Sequence, residues 1–144
     1  MSIEMKKLQD TPHLEGSKLQ VGDSLATQVT VASLRARFPD ARWVISEKLD
    51  GAQAGVSFSP DLDLLLQCRG HYLTGGAGEF QFAPFKAWAA AISDRLLEVF
   101  EDRYLMFGEW TYVTHSQFYD ALPHYFHEFD IWDKRDEVFL SSDR

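Results

Sequence analysis

The chain has 144 residues, 45% of them hydrophobic and 14% aromatic, which suits one domain with a sizeable core and excludes a disordered chain. A net charge of −8 argues against a free-standing nucleic-acid binder, because affinity for phosphate backbones rests on Lys and Arg displacing counterions; a local basic groove remains compatible with it. A single cysteine, Cys68, rules out an internal disulfide, and with no signal segment and no apolar run of membrane-spanning length, a cytoplasmic protein with no membrane partner is expected.

Residues 1–24 hold Pro12, Gly16 and Gly22 among polar residues and read as an extended approach segment within a single domain spanning 1–144. Lys6, Lys7, Lys18, Arg35, Arg37 and Arg42 lie in the first third, whereas Asp120, Glu128, Asp130, Asp133, Asp136 and Glu137 make the end acidic. An RNA partner would therefore meet the amino-terminal side first. Val31 to Phe38 predicts a short helix with Leu34 and Phe38 on one face, stopped by Pro39.

Trp43-Val44-Ile45 reads as a buried strand within the strand-like stretch Arg42–Glu47, and Glu47-Lys48-Leu49-Asp50-Gly51 follows at its end. There a glycine permits a turn and a lysine in a partly desolvated pocket would lose its proton readily. The free amine is a nucleophile toward a carbonyl or an activated phosphorus, which makes Lys48 the catalytic candidate. Taken alone, such a short string also fits a solvated lysine before a turn.

Ala54, Val56 and Phe58 alternate with Gly55 and Ser57 as in a half-buried strand; Ser59-Pro60-Asp61 makes a turn, and Leu62 to Arg69 returns as the second arm of a hairpin. Gly70 to Gly78 looks superficially like a phosphate-cradling loop but lacks the Gly-Lys-Ser/Thr ending, so a mobile lid or linker is expected. Pro84 opens an amphipathic helix reaching about Asp102, with Phe85, Trp88, Ala89, Ile92, Leu96, Val99 and Phe100 facing the core. Tyr104 to Phe107 is a strand that delivers Gly108-Glu109-Trp110, and His124 to Trp132 is another.

His124 and His127 are three apart beside Glu128, but residues three apart in a regular strand face opposite ways, so a shared zinc ion is not expected. No Gly-x-Ser-x-Gly elbow, Cys-x-x-Cys pair or dinucleotide-type glycine fingerprint occurs. Instead, strand ends deliver Lys48 with Asp50, Arg69 and Glu109, and Phe129-Asp130 sets an aromatic face beside a carboxylate. A base can stack on the ring, carboxylates can accept ribose hydroxyl bonds or bind magnesium through water, and an arginine can hold anionic or hydroxyl oxygens. Each alone also fits a solvated strand end, a surface cation or a core ring; together they describe a nucleotide site.

In this order and spacing the chain resembles the ATP-dependent RNA ligases, within the covalent nucleotidyltransferase superfamily that includes DNA ligases and capping enzymes. Glu47-Lys48-Leu49-Asp50-Gly51 is similar to motif I, Cys68-Arg69-Gly70-His71 to the following motif, Phe107-Gly108-Glu109-Trp110 to motif III, and Phe126-His127-Glu128-Phe129-Asp130-Ile131 to motif IIIa. Upstream, Thr11-Pro12-His13-Leu14-Glu15-Gly16-Ser17 is similar to the segment that opens many of these ligases. The resemblance implies an α+β adenylyltransferase domain with mixed or antiparallel sheets and a packed amphipathic helix.

It further implies ATP and Mg2+ or Mn2+ as cofactors, and RNA with 5′-phosphate and 3′-hydroxyl ends as partner, in an RNA-repair type of reaction. Lys48 would form lysyl-AMP, Arg69 and Glu109 would contact the ribose, Phe129 would stack on adenine, Glu47 would lie beside the base and Asp130 would help bind the metal. Gln53 stands where many phage-type relatives carry asparagine and would reach ribose or metal-bound water differently. Nothing like motif IV or V precedes Arg144, and Phe139-Leu140 reads as a hairpin just begun, so the amino-terminal part of a longer ligase is expected, with a natural short relative as the other reading. A partial ligase would act as a nucleotide- or RNA-binding module without ligation; a DNA ligase or capping-type enzyme fits the Phe-Gly-Glu-Trp and Phe-x-x-Phe-Asp-Ile pair less well.

Overall fold

The computed structural model describes residues 4–9, 11–18 and 28–143, so the 19–24 portion of the expected approach segment lies outside the described residues. The chain forms two compact units, one of residues 8–47 and one of residues 1–7 with 48–144.

In the smaller unit, helix α1 (Val31–Arg37) starts where a capping box can form. Thr30 Oγ1 accepts from the Ser33 amide at 3.0 Å, and Ser33 Oγ accepts from the Thr30 amide at 3.2 Å. The helix ends before Pro39 as expected, with Phe38 as its C-cap. None of its residues is buried and Phe38 is half exposed, so the expected apolar face is not a core face. Leu14 bridges Val29 in parallel, and Glu15 Oε1 accepts from the Val31 amide at 3.0 Å.

The larger unit is α+β. Five strands, β1 (Ala52–Phe58), β2 (Leu64–Cys68), β3 (Tyr104–Trp110), β4 (Phe126–Asp133) and β5 (Val138–Phe139), pair in the order β2-β1-β3-β4-β5, antiparallel throughout. The hairpin turn is fixed by Ser59 Oγ, which accepts from the amides of Asp61 (3.1 Å) and Asp63 (3.0 Å). Strand β1 differs from the half-buried reading: Ala54 to Phe58 are all buried, residues of both faces alike, in a strand flanked by β2 and β3.

Trp43, Val44 and Ile45 depart further from expectation. They form no strand, and their exposures are 45%, 60% and 93%. Residues 41–50 join no ladder, so an apolar run that looks like a strand has no partner to hydrogen-bond with. Lys48 therefore sits in an irregular segment before β1 and is exposed, not held in a desolvated pocket at a strand end.

The single amphipathic helix expected from Pro84 to Asp102 is two helices, α2 (Ala83–Ala91) and α3 (Ser93–Phe100), preceded by a 3-10 turn over Phe80–Phe82. At the break, Ser93 Oγ donates to the Ala90 carbonyl at 3.0 Å, the kind of side-chain bond that competes with helix continuation, and Asp94 favours a new N-terminus. Phe85 and Ala89 pack into the core as expected, while Val99 points to solvent. The core joins Phe85 to Ala54 and Val56 of β1, Trp110 of β3, Phe126 of β4, and Leu73 and Phe82.

Two buried carboxylates tie the periphery down. Glu79 accepts from the amides of Thr74 (3.2 Å) and Gly75 (2.9 Å) and from Lys86 Nζ, so the glycine-rich segment is moored by the acidic residue that directly follows it and is not a free lid. Asp133 accepts from Arg103 Nε at 2.9 Å and from the amides of Arg135 and Asp136, closing the β4–β5 turn. The Lys86 ammonium holds Glu79 at about 2, and the Arg103 guanidinium holds Asp133 at about 2, against ordinary values of 4.5 and 3.8.

Both folded values are depressed, so these carboxylates contribute stability above their ordinary range and lose it as pH falls toward about 2. Denaturant melts are expected to be flat from pH 7 to about 5 and to decline steadily below. Glu79→Gln and Asp133→Asn should be less stable at pH 7 and show a shallower acid decline; an unchanged slope in both would contradict the assignment.

Candidate functional site

The sheet has two faces. Ala52, Ala54 and Val56 lie on the helix-packed face, and Gln53, Gly55 and Ser57 on the opposite one. On that opposite face the register places Gln53 of β1 beside Glu109 of β3, and Glu109 beside His127 of β4. Cys68, the last residue of β2, pairs with Ala54, and Arg69 follows directly on the end of that ladder; it is exposed.

Strand β4 contains a bulge. Gly108 pairs with Glu128 and Phe107 with Asp130, leaving Phe129 as an extra residue without a β3 partner, 42% exposed. The bulge sets His127 and Asp130 opposite Glu109 and Phe107, residues that share one face of β3. The bulge lies beyond the His124–His127 pair: β4 begins at Phe126, later than the expected His124, and His127 Nε2 is engaged at 2.7 Å by the His124 carbonyl. No cluster of three or more His, Cys, Asp or Glu side chains able to hold a metal ion forms among the described residues.

The turn after Lys48 is held from β3 and from the connection 111–125. Gly51 donates its amide to Glu109 Oε1 at 2.9 Å, and Asp50 donates its amide to Tyr119 Oη at 2.8 Å. Asp50 Oδ2 accepts from the Ser116 amide at 2.8 Å and from the Ser116 hydroxyl. These bonds, the hydroxyl first, hold the Asp50 carboxyl below its ordinary range. Gly51 is required by proximity, since a Cβ there would lie 2.4 Å from the Trp110 carbonyl oxygen; its φ is not in the left-handed region.

Lys48, Gln53, Glu109, Phe129 and Asp130 thus belong to one unit, with Lys48 close in sequence to a turn bonded to Glu109. Glu47 is exposed and falls in the smaller unit. Sequence reasoning missed Ser116 and Tyr119; the available signal was the length of the 111–125 connection, since loops beyond about a dozen residues are uncommon and often functional. Beside it lies an open cleft of about 250 Å³ lined by Thr111, Tyr119, Asp120, Pro123, His124 and Tyr125.

Fold and site define an α+β protein whose lysine-bearing turn is anchored on an antiparallel sheet. A family model described as RNA ligase matches residues 41–144, the greater part of the chain and every candidate residue from Glu47 to Asp130. The chain belongs to the RNA ligase family, with the ligase-type function and RNA substrate class that this family implies. No curated protein and no solved structure matches it. Among the described residues, no helix is long and apolar enough to cross a membrane.

Proposed function

We propose that the protein is an ATP-dependent RNA ligase of the covalent nucleotidyltransferase type. The observation that carries this reading is the Gly51–Glu109 hydrogen bond, which joins the lysine motif to the Phe-Gly-Glu-Trp motif 58 residues away. In the first step the Lys48 amine attacks the α-phosphorus of ATP; an N–P bond forms, the bond to pyrophosphate breaks, and the amine gives up one proton. AMP then passes to an RNA 5′-phosphate and is displaced by a 3′-hydroxyl, sealing the strand.

The sheet register supports the accompanying roles. Glu109 pairs with Gln53 on the face opposite the helices and Arg69 follows the end of β2; Glu109 accepts from and Arg69 donates to ribose hydroxyls, Gln53 assists, and Phe129 offers its exposed ring to adenine. The donor chemistry fits magnesium. Asp130 is a hard oxygen donor on the Glu109 face, and magnesium usually takes one or two carboxylates and completes its shell with phosphate oxygens and water. When bound, it neutralises charge on the phosphates.

Intact mass of the chain after incubation with ATP and magnesium tests the reading. A gain of one AMP, abolished in Lys48→Ala, is expected; a folded protein that gains no AMP, or gains it without Lys48, would refute the covalent mechanism. A nick-sealing assay on 5′-phosphate, 3′-hydroxyl RNA then tests the remaining steps.

A further inference from the structure

We infer that Ser116 and Tyr119 are positioning residues for Lys48: they hold, from outside, the turn that presents its amine. The inference rests on the ligase reading above. Residues 41–50 have no regular structure, so no ladder of their own fixes the lysine segment. What fixes it is borrowed. Tyr119 Oη takes the Asp50 amide, Ser116 grips the Asp50 carboxylate with both its amide and its hydroxyl, and Glu109 takes the next amide at Gly51.

Two consecutive peptide planes are therefore oriented just after Leu49, which restricts the backbone that leads back to Lys48. Ser116 and Tyr119 both come from the 111–125 connection, which has no regular structure to dictate a reach of 66 and 69 residues. A connection that bonds both the amide and the carboxylate of Asp50, two residues after the nucleophile, acts as its external support, in the way that supporting groups keep reacting groups within a fraction of an ångström of the productive pose.

The test uses the whole chain with Ser116→Ala, Tyr119→Phe and Ser116→Thr. Ser116→Ala and Tyr119→Phe are each expected to lower the rate of lysyl-AMP formation at saturating ATP by about tenfold, within the range that slight misplacement produces. The ATP concentration for half-maximal rate should stay within about twofold, since neither side chain is assigned to the nucleotide. Ser116→Thr, which keeps the hydroxyl, should recover most of the rate. Unchanged rates, or a loss that follows melting temperature and is not recovered by threonine, would overturn the inference.

Amide exchange read by mass spectrometry on the peptide covering residues 48–53 separates this from failure of the ligase reading. Both disruptive variants should accelerate exchange there. If exchange accelerates while even the unmodified chain takes no AMP, the ligase reading falls and the external hold on the turn stands; if exchange is unchanged, the inference falls whatever the activity.

Discussion

Truncating Phe85 to alanine is expected to destabilise the protein by about 3–5 kcal/mol, the range for removing a buried phenylalanine and leaving a cavity. Phe85 is fully buried, and its ring centroid lies 5.3 Å from that of Trp110, 5.4 Å from Phe126, 5.8 Å from Trp88 and 6.3 Å from Phe82. Those four rings come from α2, β3, β4 and the preceding 3-10 turn, so no single element can shift to fill the space. Domains hold only about 5–15 kcal/mol in total, so the variant should approach the unfolding threshold in urea melts. Val99→Ala, at an exposed α3 position, should stay within about 0.5 kcal/mol. Equal losses in the two variants would show that the aromatic cluster is not the centre of the core.

The second large effect is expected at Gly51. An alanine Cβ would meet the Trp110 carbonyl oxygen at 2.4 Å and the Thr111 Cα at 3.2 Å, both backbone atoms that cannot rotate aside. The turn must then lift from β3, lengthening the Gly51–Glu109 bond that joins the two motifs. Overpacking of this kind costs about 1–3 kcal/mol. If the ligase reading holds, displacement of the turn should also lower lysyl-AMP formation by about 100-fold. Gly70→Ala is the control, since nothing lies within 4 Å of a Cβ there. A Gly51→Ala protein that takes AMP at the normal rate would show that the turn tolerates the shift.

The hairpin Ala52–Cys68, the short helix before Pro39 and the strand ending at Gly108-Glu109-Trp110 were legible because local periodicity and turn chemistry agreed with the tertiary result. The run Trp43-Val44-Ile45 misled because a strand is defined by its partner, which no local pattern supplies. The helix break was hidden because Ile92 fits the apolar stripe while Ser93 bends the backbone. In the site, residue types were readable but their support was not: Ser116 and Tyr119 reach Asp50 across more than sixty residues, and Glu79 gathers the glycine-rich segment through tertiary bonds. The acidic end also proved partly neutralised, with Asp133 and Asp136 sharing Arg103.

Phe129 has a role that its chemistry alone does not suggest. As the extra residue of β4 it acts as a phase marker: everything before it is read in one alternation, and everything after it in the other. Were Phe129 instead paired with Phe107 in a regular ladder, Asp130 would fall opposite Met106, moving from the face that carries Glu109 to the helix-packed one, whatever its identity. The strand thus encodes its polar face by counting as much as by composition: the unpaired residue is what brings His127 and Asp130, three apart in the chain, to the same side of the sheet.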